Sequence, residues 1–93
     1  MKIVYKKGFL KSFSSYSRQE QELILESDRQ IKLYLEAKFE DVPHGIGIKK
    51  IGPKTFEARV NDKIRVLWVK TDDAAYFVLI GNHEEVRRYI KRS

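Results

Sequence analysis

From Lys2 to Lys6 the chain sets Ile3 and Tyr5 against Lys2, Val4 and Lys6, the period-two pattern of a short strand with one face on a core. Gly8 is expected to end it. Phe9, Leu10, Phe13 and Tyr16 then recur at helical offsets, which predicts a short helix stopping at the turn-prone Ser14 and Ser15. Ser17 and Glu20 make the S-x-x-E pattern of a capping box, so a longer helix should begin there. Its apolar stripe runs through Leu23, Ile24, Ile31, Tyr34, Leu35 and Phe39, with Glu20, Glu22, Glu26, Arg29, Lys32 and Glu36 mostly off it. Asp41, Val42 and Pro43 end that pattern, and His44-Gly45-Ile46-Gly47 reads as a flexible connector.

Beyond the connector the apolar runs shorten to strand length. They predict strands over 48–51, 55–60, 64–70 and 75–80, with Gly52-Pro53 as a turn. Asn82 and Glu85 repeat the capping pattern ahead of Val86, Tyr89 and Ile90, which predicts a short closing helix. No repeat or linker divides the chain, so residues 1–93 are expected to form a single α+β domain. Its layout would be an N-terminal strand and a helical hairpin packed on a mainly antiparallel sheet of about four strands.

One pairing register follows from the pattern. If Asn61-Asp62-Lys63 is a three-residue loop, Val60 opposes Ile64 and Arg59 opposes Arg65. Phe56, Ala58, Val60, Ile64, Val66 and Trp68 then share one apolar face, whereas a two-residue loop would send half of them to the other side. Two arginines directly across a strand pair repel by up to ~1 kcal/mol. With Glu57 beside them they form either a phosphate cradle, since each guanidinium fork donates two hydrogen bonds, or a solvated salt-bridge network.

Composition narrows the partners. There are 19 Lys+Arg against 13 Asp+Glu, a formal net charge of +6, and every basic stretch is interleaved with apolar residues. A folded domain with a polyanionic partner fits that balance, and so does ordinary solubility. No cysteine is present, which excludes a disulfide framework and suits a reducing cytoplasm. The start, MKIVYKKGFLKSF, holds no signal-peptide apolar run, and no later stretch reaches the length of a membrane span. The two histidines, His44 and His83, lie far apart without a ligand-spaced carboxylate pattern, so neither a metal nor another cofactor is expected.

The F-E-A-R-V…I-R-V-L-W core, the Arg59 and Arg65 strand pair, and the G-N-H-E-E-V-R-R-Y terminus with its Gly81-x-His83 ending resemble the RelE/ParE superfamily of bacterial type II toxins, over nearly the whole chain. RelE-like members bind mRNA in the ribosomal A site on a basic sheet face and cleave it by attack of a ribose 2′-OH on the adjacent phosphate. ParE-like members share the fold and poison DNA gyrase without cleavage. The resemblance therefore implies a metal-independent mRNA endoribonuclease held by a cognate antitoxin protein. The alternatives are a gyrase inhibitor and a catalytically degenerate module that binds nucleic acid or antitoxin.

By position, the resemblance makes Arg59 and Arg65 the phosphate-binding pair, His83 a general acid for the 5′-oxygen and Tyr89 a base-stacking residue. Glu57 replaces a position that is basic in RelE itself, so a lysine relay does not transfer. Glu57 is instead the candidate base for the 2′-OH proton. Lys49, Lys50 and Lys54 form a basic edge for RNA backbone or acidic antitoxin, and Arg87 and Arg88 either join the RNA contact or complement the helix dipole. The bland readings are an exposed first-turn His83, a packed Tyr89, a loop His44 and a core Trp68.

Overall fold

The computed structural model describes residues 1–37 and 47–92. Phe39, the 41–43 helix stop and His44 lie outside them. The elements run β1 (Lys2–Tyr5), α1 (Lys7–Ser15), α2 (Arg18–Ala37), β2 (Ile48–Lys50), β3 (Thr55–Arg59), β4 (Arg65–Lys70), β5 (Ala74–Gly81) and α3 (His83–Arg92). They build one five-stranded sheet in the order β1-β5-β4-β3-β2. About four strands were expected, and the fifth is β1. It joins as an edge strand parallel to β5, with Ile3 beside Ala75 and Tyr5 beside Phe77, which requires the long crossover that the rest of the chain provides.

Both capping boxes close. Ser17 N–H donates to Glu20 Oε1 at 3.0 Å and Glu20 N–H to Ser17 Oγ at 3.2 Å. Asn82 N–H donates to Glu85 Oε1 at 3.0 Å and Glu85 N–H to Asn82 Oδ1 at 2.9 Å. These reciprocal bonds satisfy N–H groups that the first turn of any helix leaves without partners. Gly8 does not precede α1 but sits in its first turn.

One sheet face carries the main core. Phe9 of α1 and Ile24, Ile31 and Leu35 of α2 pack with Ala58, Val66, Trp68, Ala75, Phe77 and Ile80. Phe56 stacks on Trp68 at 5.8 Å and Trp68 on Phe77 at 5.9 Å between ring centroids, so aromatic contact runs across three strands. Two residues assigned to this face by periodicity are not on it. Leu10 and Leu23 are each about half exposed, because each lies one residue, about 100° of helix, from the position that is buried, Phe9 and Ile24. The stripe of α2 contains Asp28 in their place, in helical step with Ile24, Ile31 and Leu35.

The second face is covered in part by α3. Leu67 is fully buried yet points away from Val66 and Trp68, and Val86 of α3 is buried outside the main cluster. A β-bulge shifts the register of β5 beside Leu67. Trp68 pairs with Phe77 but Leu67 pairs with Leu79, so Val78 is an extra residue and the alternation of β5 reverses there. Ile80 consequently enters the main core, while Leu79 and Gly81 turn to the second face.

Candidate nucleic-acid interface

The strand pair has the register that the apolar pattern selects. Ala58 pairs with Val66 and Arg59 with Arg65, and Val60 N–H donates to the Ile64 carbonyl at 2.9 Å. Asn61 Oδ1 accepts from the N–H groups of Lys63 and Ile64 at 2.9 and 2.8 Å, which ties the three-residue loop with its own first side chain. Phe56 and Val60, both half-buried, pack against the cluster that holds Ala58, Val66 and Trp68, with Ile64 among its buried members.

The polar face of the same pair carries the charged candidates. Arg65 Nη1 donates to Glu57 Oε1 at 3.1 Å, with the two side chains only 17% and 10% exposed. Among the described residues no carboxylate pairs with Arg59, which is exposed. Glu57 thus offsets the repulsion between the arginines by engaging one and leaving the other outward. The Arg65 Nε–H is buried and finds no acceptor among the described residues. A guanidinium has five donors in a fixed fork, so this one is oriented by a carboxylate but not saturated by it. Phosphate oxygens are the acceptors that such a fork suits best.

Gly47 frames the outer arginine. It adopts φ +62°, a left-handed conformation that glycine takes without strain, and its carbonyl accepts the Arg59 N–H at 3.4 Å. A Cβ on Gly47 would lie 3.4 Å from the Arg59 Cβ.

His83 enters through β5. Gly81 is the β5 partner of Arg65, and His83, the exposed first residue of α3, follows two residues later. Two residues span at most about 7 Å, so the histidine backbone stays within that reach of Gly81. Gly81 is needed in that place. A Cβ there would fall 2.9 Å from Glu85 Cβ and 3.0 Å from its carboxylate carbon, because Glu85 folds back over Gly81 to close its capping box. The Tyr16 phenol is raised above its ordinary value by burial first, and then by the nearby carboxylates of Glu85 and Glu20. The end of α1 therefore lies between the two capping boxes.

The remaining candidates separate. Lys49 pairs with Glu57 across β2 and β3, which places it, exposed, on the arginine face. Lys50 pairs with Phe56 and lies 5.9 Å over its ring on the opposite face, and Lys54 sits with Lys50 and Lys70 in a shallow depression at the far end of the strands. The three lysines expected to act as one edge thus serve two faces, because successive strand residues alternate. Tyr89 is not beside His83. Six helical residues carry it about 9 Å along the axis and about 240° around it. There it is half-buried and lines a shallow pocket with Leu79, Glu85, Arg88 and Arg92, which is the packing alternative for this residue. Arg87 pairs with Glu84 at 3.5 Å on the exposed side of α3, and Arg88 is exposed one residue on.

Sequence reasoning missed Asp28. Its carboxylate accepts from Tyr5 Oη at 2.8 and 3.0 Å and pairs with Lys32 Nζ at 2.9 Å, which joins β1 to α2. The signal was an acid standing inside an apolar stripe with a lysine four residues on. Among the described residues no cluster of His, Cys, Asp and Glu could hold a metal, and no helix is long and apolar enough to cross a membrane.

No family model matches the chain, and no curated protein matches it by sequence. Solved structures do match in shape. A copper-bound mutant toxin from Helicobacter pylori superposes with a TM-score of 0.65 at 20% identity, covering 92% of this chain and 98% of that one. The DinJ-YafQ toxin-antitoxin complex from E. coli gives 0.68 at 14% identity, covering 90% and 93%. The YoeB dimer from Staphylococcus aureus gives 0.67 at 13% identity, covering 89% and 97%. The chain has the fold of the RelE/ParE-type toxins.

Proposed function

We propose that the protein is the toxin of a type II toxin–antitoxin pair and acts as an mRNA endoribonuclease that stops translation, with the ribosome presenting its substrate. The observation that carries this reading is Arg65: oriented by Glu57, with a buried Nε–H that finds no acceptor among the described residues, opposite the exposed Arg59, and paired with Gly81 of the strand that leads to His83. The scissile phosphate lies between the two guanidinium groups. Glu57 takes the proton from the ribose 2′-OH, whose oxygen attacks the adjacent phosphorus. Arg59 and Arg65 stabilise the charge that grows on the phosphoryl oxygens. His83 gives its proton to the departing 5′-oxygen, leaving a 2′,3′-cyclic phosphate and a free 5′-hydroxyl. Glu57 serves twice, as base and as the group that orients Arg65. Lys49 extends the same face toward neighbouring backbone phosphates.

The partner is an acidic antitoxin segment that competes with RNA for this surface, supported by the fold shared with a toxin solved in complex with its antitoxin. Expression in growing cells, with mapping of mRNA ends, tests the whole reading. Growth arrest with new cyclic-phosphate ends is expected, and His83→Ala should abolish both while the protein stays folded. Arrest with intact mRNA and inhibited gyrase would overturn it.

A further inference from the structure

We propose that Glu85 is a positioning residue for His83, acting through a capping box built against the Arg65 strand pair. The inference rests on the reading of His83 as the acid. His83 lies between the two members of the box, Asn82 and Glu85, whose reciprocal bonds are 3.0 and 2.9 Å. These bonds fix the backbone on both sides of the histidine. The box is also fixed to the sheet, because Glu85 sits directly over Gly81, the residue paired with Arg65. Any side chain at position 81 would push Glu85 outward and open the box. His83 is itself exposed, so backbone anchorage rather than burial must set its direction. A general acid misplaced by an ångström loses much of its advantage.

The chain supplies its own control. Ser17 and Glu20 make the same box at the start of α2, with bonds of 3.0 and 3.2 Å, and enclose Arg18 and Gln19 rather than a residue assigned to the reaction. Glu85→Ala and Glu20→Ala each remove one capping box. In ribosome-dependent cleavage assays Glu85→Ala is expected to lower kcat about tenfold with KM unchanged. Glu20→Ala should leave kcat at the wild-type value. Glu85→Gln keeps an acceptor oxygen for the Asn82 N–H and should restore most of kcat, while Gly81→Ala should repeat the Glu85→Ala defect. Equal losses in Glu85→Ala and Glu20→Ala, or a Glu85→Ala enzyme with full kcat, would overturn the assignment. The His83 imidazole resonances, read by NMR in the same variants, give a second measure. They should shift and broaden in Glu85→Ala and not in Glu20→Ala. If the wild-type protein cleaves no mRNA, the proposed function fails by itself, and the imidazole resonances alone decide whether Glu85 holds His83.

Discussion

Asp28 and Glu57 are the two buried carboxylates among the described residues, exposed by only 9% and 8%, and their surroundings differ. Asp28 has both oxygens engaged by the Tyr5 hydroxyl and one also by Lys32, whose ammonium in turn lies 5.3 Å over the Tyr5 ring. Glu57 has one oxygen on one arginine nitrogen, and that arginine keeps a buried N–H with no acceptor among the described residues. The first is a closed network that pins α2 to β1. The second is open: the Arg65 Nε–H, like the Trp68 Nε1–H of the core, is buried without an acceptor among the described residues, which costs free energy. The contrast is between a carboxylate whose partners pin two elements together and one that, under the proposed function, works on a ligand.

Substitutions should split along that line. The largest effect is expected from Arg65→Ala, which removes the oriented fork and should lower cleavage by about 10²- to 10³-fold in a single-turnover assay. A near-normal rate would show that the open network is not the site. Glu57→Gln should follow at about 10²-fold, with RNA affinity retained in a filter-binding titration, since Arg65 is then released toward phosphate. Asp28→Ala should instead leave cleavage intact at low temperature and cost about 2 kcal/mol of stability. For a chain of this size that is a fall of roughly 8–16 °C in the calorimetric midpoint. Tyr5→Phe removes only the hydroxyl and should cost about 1 kcal/mol.

The smallest effect is a pH dependence confined to the closed network. Burial is the main cause that raises the Tyr5 phenol above its ordinary 10.0, and Tyr5 and then Asp28 raise the Lys32 ammonium above 10.5. Both groups hold their protons more tightly in the folded state. Their contribution is therefore complete below about pH 10 and is lost as pH rises through the folded values. Melting followed across alkaline pH should show this loss in the wild type and less of it in Tyr5→Phe. An unchanged profile would disconnect Tyr5 from the network.

Much of the interface was legible because strand pairing follows arithmetic. The loop length and the six apolar residues select one register, so Arg59 opposite Arg65 follows from the sequence alone. Both capping boxes were legible for a similar reason, being local in sequence. The depth of Glu57 was not, since it is set by the assembled second sheet face rather than by the strand pattern. The bulge at Val78 was also hidden, because Phe77-Val78-Leu79-Ile80 is apolar throughout and carries no alternation to interrupt. Tyr89 was placed in the site by the resemblance alone, and only the folded helix shows that it lines a pocket with Leu79 and Glu85.

By itself the sequence determined the elements, their caps and the register of β3 against β4, all interactions between residues near in the chain or bound to a period of two or 3.6. Only the tertiary structure decided that β1 joins β5 in parallel, and that Asp28 closes one network while Glu57 leaves another open. Those outcomes depend on which face a neighbouring element covers. No local pattern encodes that, because burial is a property of the assembled layers rather than of any one segment.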